Sequence, residues 1–300
     1  MPYIAWAPNY RLPLPEGHRF PMEKYELIPE QLLYEGSITE ADLHRPQPLG
    51  AGPVLRVHCP QYWHKLNQLQ LSRQEGRRIG FPVTRELFVR ELTIAQGTIN
   101  GCQQALQHGV ALNVAGGTHH AYAEHGEGFC VLNDQAIAAQ YLLDTGLARQ
   151  ILVVDLDVHQ GNGTAALFAQ EPRVYTFSMH GASNYPHRKE TSDLDLPLPN
   201  LTTDAEYLRL LHQHLPRLLD RVQPDFVFYL SGVDVLASDK LGKLALSLEG
   251  CRRRDRYVLE LCARSELPVM VCMGGGYSPR LADIVEAHCN TFRLAGELWG

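Results

Sequence analysis

The chain has no apolar run approaching the ~18 residues that a helix needs to cross a bilayer. Its opening, MPYIAWAPNYRLPLPEGHRF, has no basic segment followed by an apolar stretch, so a soluble, cytoplasmic protein without membrane partners is expected. There is no cysteine framework: the seven cysteines are odd in number, scattered and never spaced C-x-x-C, which leaves reduced and mostly buried thiols. Excess positive charge is missing too. A net charge of -6 excludes a strong basic field, and no direct nucleic-acid binding is expected. Finally, G-x-S-x-G, G-x-G-x-x-G and a P-loop Lys-Ser/Thr are all absent, which argues against a serine hydrolase and against a phosphate cradle.

What is present is enough apolar sequence, 45% of 300 residues, for one large core. Five β-rich runs, at 111–117, 151–157, 174–179, 226–232 and 268–276, alternate with amphipathic stretches. Near-continuous apolar strands separated by helices indicate an α/β fold, a parallel sheet covered on both faces, in a single domain spanning 1–300. Residues 1–60 read as an irregular, proline-rich part packed on that domain. Helix starts are expected at Ser37 with Glu40, Thr203 with Glu206, Ser278-Pro279 and Asn133. The segment from Thr84 to about His108 reads as helix despite Gly97 and Gly101. The run Arg252-Arg253-Arg254 reads as a solvated helix face, and His125 as a surface residue.

Each β-run ends in a distinctive polar group: GGTHH, DLDVHQGNG, SMHG, SGVD and GGGY. In an open parallel sheet the carboxyl ends of the strands face the binding crevice, so the five groups converge. Asp157 and His159, two apart at a strand end, point the same way and can share a metal, to which Asp234 adds a second carboxylate. Three protein ligands with an open position is a catalytic zinc pattern. Any one of these residues alone has an ordinary structural explanation, such as capping a loop; the set does not. The adjacent pair His119 and His120 can divide proton transfer from orientation, and metal binding by the pair competes with that reading. Tyr277, after three glycines, can place a hydroxyl as an oxyanion donor.

These groups, in this order, resemble the histone deacetylase family over nearly the whole chain: AGGTHHA, GEGFCVLND, DLDVHQGNG, SGVDVLASDKLG and GGGY. SGVDVLASDKLGKLALSLEG, Asn162 in HQGNG and HRFPMEKY look closest to the class IV branch. The resemblance implies the arginase-deacetylase fold, with about eight parallel strands, and a zinc-dependent hydrolase acting on an acyl-lysine protein or peptide. It assigns zinc, or another divalent metal such as Fe2+ in the cell, to Asp157, His159 and Asp234. It makes His120 the general base, His119 its electrostatic neighbour, Asp155 the partner of His119 and Asn162 the partner of His120. Asparagine there, where many members carry aspartate, implies a lower His120 pKa than in those members. Gly128 and Phe129, with Tyr185 and Leu241, match the acyl-lysine channel, and Asp155, Asp157, His159, Ser178 and Met179 match the ligands of a potassium ion. Deacylation of a polyamine or other acylated small amine, an arginase-like two-metal enzyme and a non-catalytic acyl-lysine binder are the competing functions.

Overall fold

The five apolar runs become five neighbouring strands at the centre of one sheet. In the computed structural model, which describes residues 2–300, the strands are β1 (Tyr3–Ala5), β2 (Leu43–His44), β3 (Val110–Asn113), β4 (Ile151–Asp155), β5 (Val174–Gly181), β6 (Leu194–Leu198), β7 (Phe226–Leu230) and β8 (Val269–Cys272). Their order is β2-β1-β3-β8-β7-β4-β5-β6, and every pairing is parallel. Every residue of β3, β4, β7 and β8 is buried, as a sheet covered on both faces requires. The sheet ends earlier than the apolar runs do: the glycines of GGTHH and GGGY and the second acid of DLDVH, Asp157, lie in loops beyond it.

The strands missed by sequence reading are the edges. β1 and β2 have three and two residues, and LDLPL in β6 buries only Leu198, so neither length nor alternation marks them. The first 60 residues are therefore less irregular than expected, since they supply β1, β2, a short helix over residues 51–54 and a longer one, α1 (Lys24–Tyr34). The other helices are α2 (Ala51–Val54), α3 (Pro60–Asn67), α4 (Arg73–Ile79), α5 (Arg85–His108), α6 (Asp134–Asp144), α7 (Asn162–Phe168), α8 (Asp204–Val222), α9 (Leu248–Arg264) and α10 (Leu281–Trp299). Among the described residues, no helix is long and apolar enough to cross a membrane.

Helix α5 is continuous, capped by Thr84 Oγ1, which accepts from Leu87 N at 3.2 Å. Asn133 caps α6 in the same way through Ala136 N at 3.0 Å. The other expected starts differ in detail, two by position and the one at Thr203 by its missing cap bond. The capping box near Ser37 forms two residues later, between Thr39 and Asp42, while Ser37 Oγ donates to Glu35 at 2.6 Å. Thr203 precedes α8 but its side chain makes no cap bond. Helix α10 begins at Leu281, after Pro279, because Ser278 Oγ is engaged with Ser238 Oγ at 2.7 Å.

One reading fails at one residue: Arg253 is exposed and Arg252 half-buried, as a solvated face requires, but the third arginine is not. Arg254 is not solvated: it is fully buried and paired with Asp255 at 2.8 Å. It falls on the same stripe of α9 as Cys251, Val258 and Cys262, so helical periodicity carried the signal that the charge run concealed. Its Nη1 donates to the carbonyls of Leu156 at 3.1 Å and Gly232 at 2.6 Å, the backbone just beyond β4 and β7. A buried guanidinium thus fastens together the two loops that carry the candidate metal ligands.

Candidate active site

The DLDVH loop is folded by its own side chains. Asp155 Oδ1 accepts from Asp157 N at 3.1 Å, and Asp157 Oδ1 accepts from His159 N at 2.9 Å. Across the sheet, Asp234 Oδ1 accepts from Val158 N at 2.9 Å, which ties the loop after β7 to the loop after β4. The loop after β8 closes the third side, where Gly275 N donates to Asp157 Oδ2 at 2.8 Å. A Cβ at Gly275 would stand 2.9 Å from that same oxygen and closer still to Asp234, so only glycine lets this backbone approach. Asp157 and His159 are brought together by a loop, not by strand alternation.

Asp157, His159 and Asp234 are buried, and each offers one ligand atom within 4.8 Å of the others. His159 Nδ1 lies 3.0 Å from Asp157 Oδ1 and 3.2 Å from Asp234 Oδ2. The second approach lacks hydrogen-bond geometry, so Asp234 Oδ2 is a buried carboxylate oxygen without a hydrogen-bond partner. Burial and then repulsion from Asp157 push Asp234 up to about 7. Burial opposes charge on His159, but the two carboxylates outweigh it and raise its pKa to about 10. An orphaned oxygen in a one-histidine, two-carboxylate set without cysteine fits a divalent cation with oxygen and imidazole preference, zinc or Fe2+ included.

The histidine pair sits beside this set with rings 4.1 Å apart, and its two members are tuned in opposite directions. His119 Nδ1 meets Asp155 Oδ2 at 2.7 Å, and that carboxylate outweighs burial to raise the His119 pKa. His120 Nδ1 meets Asn162 Oδ1 at 2.6 Å. Its pKa falls well below 6.5, first through burial and then through the neighbouring imidazoles, while the hydrogen bond with Asn162 acts in the opposite direction. Behind it, Asn162 Nδ2 donates to Glu127 Oε1 at 2.8 Å and Tyr122 Oη at 3.0 Å. The Glu127 acceptor fixes the amide orientation, so His120 carries its proton on Nδ1 and leaves Nε2 as an acceptor. His125 is partly covered instead of exposed: it stacks on Tyr122 at 4.6 Å and lies 3.5 Å from Glu127.

Aromatic rings wall the pocket above. The Tyr277 and Phe129 rings are 6.0 Å apart, Tyr185 stands edge-on to His120 at 5.0 Å, and Tyr277 is 6.4 Å from the His159 ring. Burial, and next the Asp234 charge, hold the Tyr277 phenol well above its usual pKa, so it stays a donor. Leu241 lies at the rim of the mouth with Tyr185 and Phe129. Gly128 and Phe129 are both left-handed, at φ 56° and 67°. A Cβ on Gly128 would stand 2.7 Å from the His120 ring, while Phe129, held by its N–H on Ile79 O at 2.7 Å, carries strain on the order of 1–3 kcal/mol. Of the candidate potassium ligands, Met179 is fully buried and Ser178 Oγ lies 2.9 Å from His180 Nδ1.

Sequence reasoning missed several supports. Lys24, fully buried, donates from Nζ to Gly274 O at 3.0 Å beneath the glycine loop. Asp134 accepts from Thr118 N at 2.9 Å and from Thr98 Oγ1 at 2.7 Å, which anchors the loop that presents the histidines. The helix start at Asn133 pointed to Asp134, but nothing in local pattern marks Lys24 or Glu127.

The chain is similar to known proteins over nearly its whole length. The histone deacetylase domain family matches residues 18–292. An uncharacterized protein of Picosynechococcus sp. is 45% identical over 99% of each chain. Histone deacetylase 2 of Arabidopsis thaliana is 29% identical over 89% of this chain and 72% of its own. Among solved structures, the HDA15 HD domain superposes with a TM-score of 0.81 at 19% identity, over 98% of this chain and 90% of its own. An HDAC homologue complexed with SAHA gives a TM-score of 0.85 at 24% identity, over 98% and 84%.

Proposed function

The chain belongs to the histone deacetylase family of deacetylase-type hydrolases, and from that premise we propose that it hydrolyses the amide of an acyl-lysine with a divalent cation, zinc, held by Asp157, His159 and Asp234. The observation that carries the reading is the buried, unpartnered Asp234 Oδ2, within 4.8 Å of the ligand atoms of Asp157 and His159, two residues that line one pocket with His120 and Tyr277. Such a cation, when bound, supplies Lewis acidity that polarises the acyl carbonyl and acidifies water.

The chain's own residues do the rest. His120 Nε2, neutral through burial, takes the proton of the attacking water. His119, held toward its charged form by Asp155, keeps the adjacent ring from binding that proton too firmly. Tyr277 Oη donates to the carbonyl oxygen as it gains negative charge. His120 then delivers its proton to the amine nitrogen as the C–N bond breaks, leaving a carboxylic acid and a free lysine amine. Phe129, Tyr185 and Tyr277 enclose the aliphatic stem and exclude water from the reacting carbon. A potassium ion on Asp155, Asp157, His159, Ser178 and Met179 would stiffen the loop from beneath, as the family resemblance implies.

The test is release of free lysine amine from acetyl- and longer-chain acyl-lysine peptides, with metal content measured alongside. Turnover should vanish on chelation and return with zinc. His120→Ala should lose about 10²–10⁴-fold and Tyr277→Phe about 10²–10³-fold in kcat. Stoichiometric zinc without turnover of any acyl amine would overturn the proposal.

A further inference from the structure

The protein carries a net charge of -6, yet the mouth of its pocket is cationic. The entrance, a cavity of about 310 Å³, is rimmed by Arg19, Arg78, His187 and Lys243, and no carboxylate lines it. All four residues are exposed. The three permanent cations are also uncommitted. Arg19 lies over the Phe129 ring at 5.0 Å, and Lys243 donates to the Ser183 carbonyl at 2.9 Å. Arg78 sits where its own carbonyl accepts from Gly128 N at 3.1 Å, so its backbone is tied to the channel wall. Among the described residues none of the three forms an ion pair, although surface arginines elsewhere, such as Arg56 with Asp144 at 2.7 Å, do. The acid behind the rim residue Tyr185, Glu127, accepts from Asn162 and Tyr185 and does not line the entrance. Beyond the rim a larger groove of about 910 Å³ carries both signs, with Glu16 and Glu23 beside Arg11 and Lys240, so the one-signed field is confined to the entrance itself.

From this we infer that the mouth selects an acylated lysine flanked by carboxylates, an acidic peptide, and rejects an acylated polyamine. The inference rests on the deacylase reading above and adds the substrate class. An amide seated in the channel places the residues on either side of the acyl-lysine against the rim, where guanidinium and ammonium groups meet carboxylates and repel further cations. A polyamine brings protonated amines to the same place, opposite a rim with no carboxylate to receive them. Exposed ion pairs are individually weak, and two or three acting together give roughly a tenfold preference that screening at ~8 Å erodes as salt is raised.

The experiment measures kcat/KM of the zinc-loaded protein on one acyl-lysine peptide made in three versions, with aspartates, glutamines or lysines on both sides of the acyl-lysine, and on a monoacetylated polyamine. At low salt the aspartate version should lead the lysine version by about tenfold or more, the gap should narrow at high salt, and Arg78→Glu with Lys243→Glu should reverse the order. A thermal melt identifies variants that fail to fold, and Arg78→Gln with Lys243→Gln, which should merely level the three peptides, is the second variant. Equal rates on the three peptides, or a preference for the lysine version or the polyamine, would overturn the inference while leaving the deacylase reading intact. No turnover of any substrate would overturn both.

Discussion

The floor of the pocket and its mouth are built on opposite principles. On the floor, charged and polar groups are buried and several are answered by backbone: Asp157 by Gly275 and His159, Asp234 Oδ1 by Val158, and Arg254 by Leu156 and Gly232, while Asp234 Oδ2 is left for the cation proposed above. At the mouth, the charges are exposed on side chains that meet almost nothing. The floor therefore holds atoms in place at the expense of desolvation, which only a complete set of partners offsets. The mouth holds only a field, which is cheap in stability and easily changed. Position matters for the chemistry below, and sign matters for the selection above.

If that contrast is right, the largest loss of stability comes from the floor. Arg254→Met leaves Asp255 and two loop carbonyls buried without their cation, and should cost about 3–5 kcal/mol in denaturant unfolding. A loss below about 1 kcal/mol would mean that the floor is as tolerant as a surface.

Acid probes the same scaffold next. His58 clamps the wall of the site, with Nδ1–H on Tyr122 O at 2.9 Å and Nε2 accepting from Asn133 N at 3.0 Å. Burial lowers its pKa from 6.5 to about 4. Between those values the unfolded chain binds the proton and the folded one does not, so stability is complete above pH 6.5 and is lost as pH falls toward 4, by about 3 kcal/mol in total. Unfolding curves across this window, compared with His58→Asn, isolate the contribution; parallel pH slopes for the two proteins would refute it.

The smallest effect belongs to the mouth. Lys243→Ala removes one exposed donor and should leave unfolding free energy within about 0.5 kcal/mol of wild type. A shift well beyond that would show that the rim is structural after all, and would blur the distinction between floor and mouth.

Legibility in the sequence followed burial and repetition. The five central strands announced themselves because each is apolar from end to end, and edge strands such as LDLPL did not because half their surface faces solvent or proline interrupts them. Asp157, His159, Asp234, His119, His120 and Tyr277 were visible because five strand ends carried unusual polar groups in one order. Arg254 was misread because three consecutive arginines suggested solvent, whereas helical phase placed one of them inside.

The sequence by itself determined the α/β class, the family and the candidate ligand set, because these depend on which residue types follow which apolar runs. Tertiary structure alone decided that Glu127 orients Asn162, that Lys24 lies under Gly274 and that the mouth of an acidic protein is cationic. Those facts join residues 35, 250 and more than 160 positions apart, from Arg78 to Lys243, and no local pattern encodes a contact whose two halves meet only when the sheet brings its strand ends together.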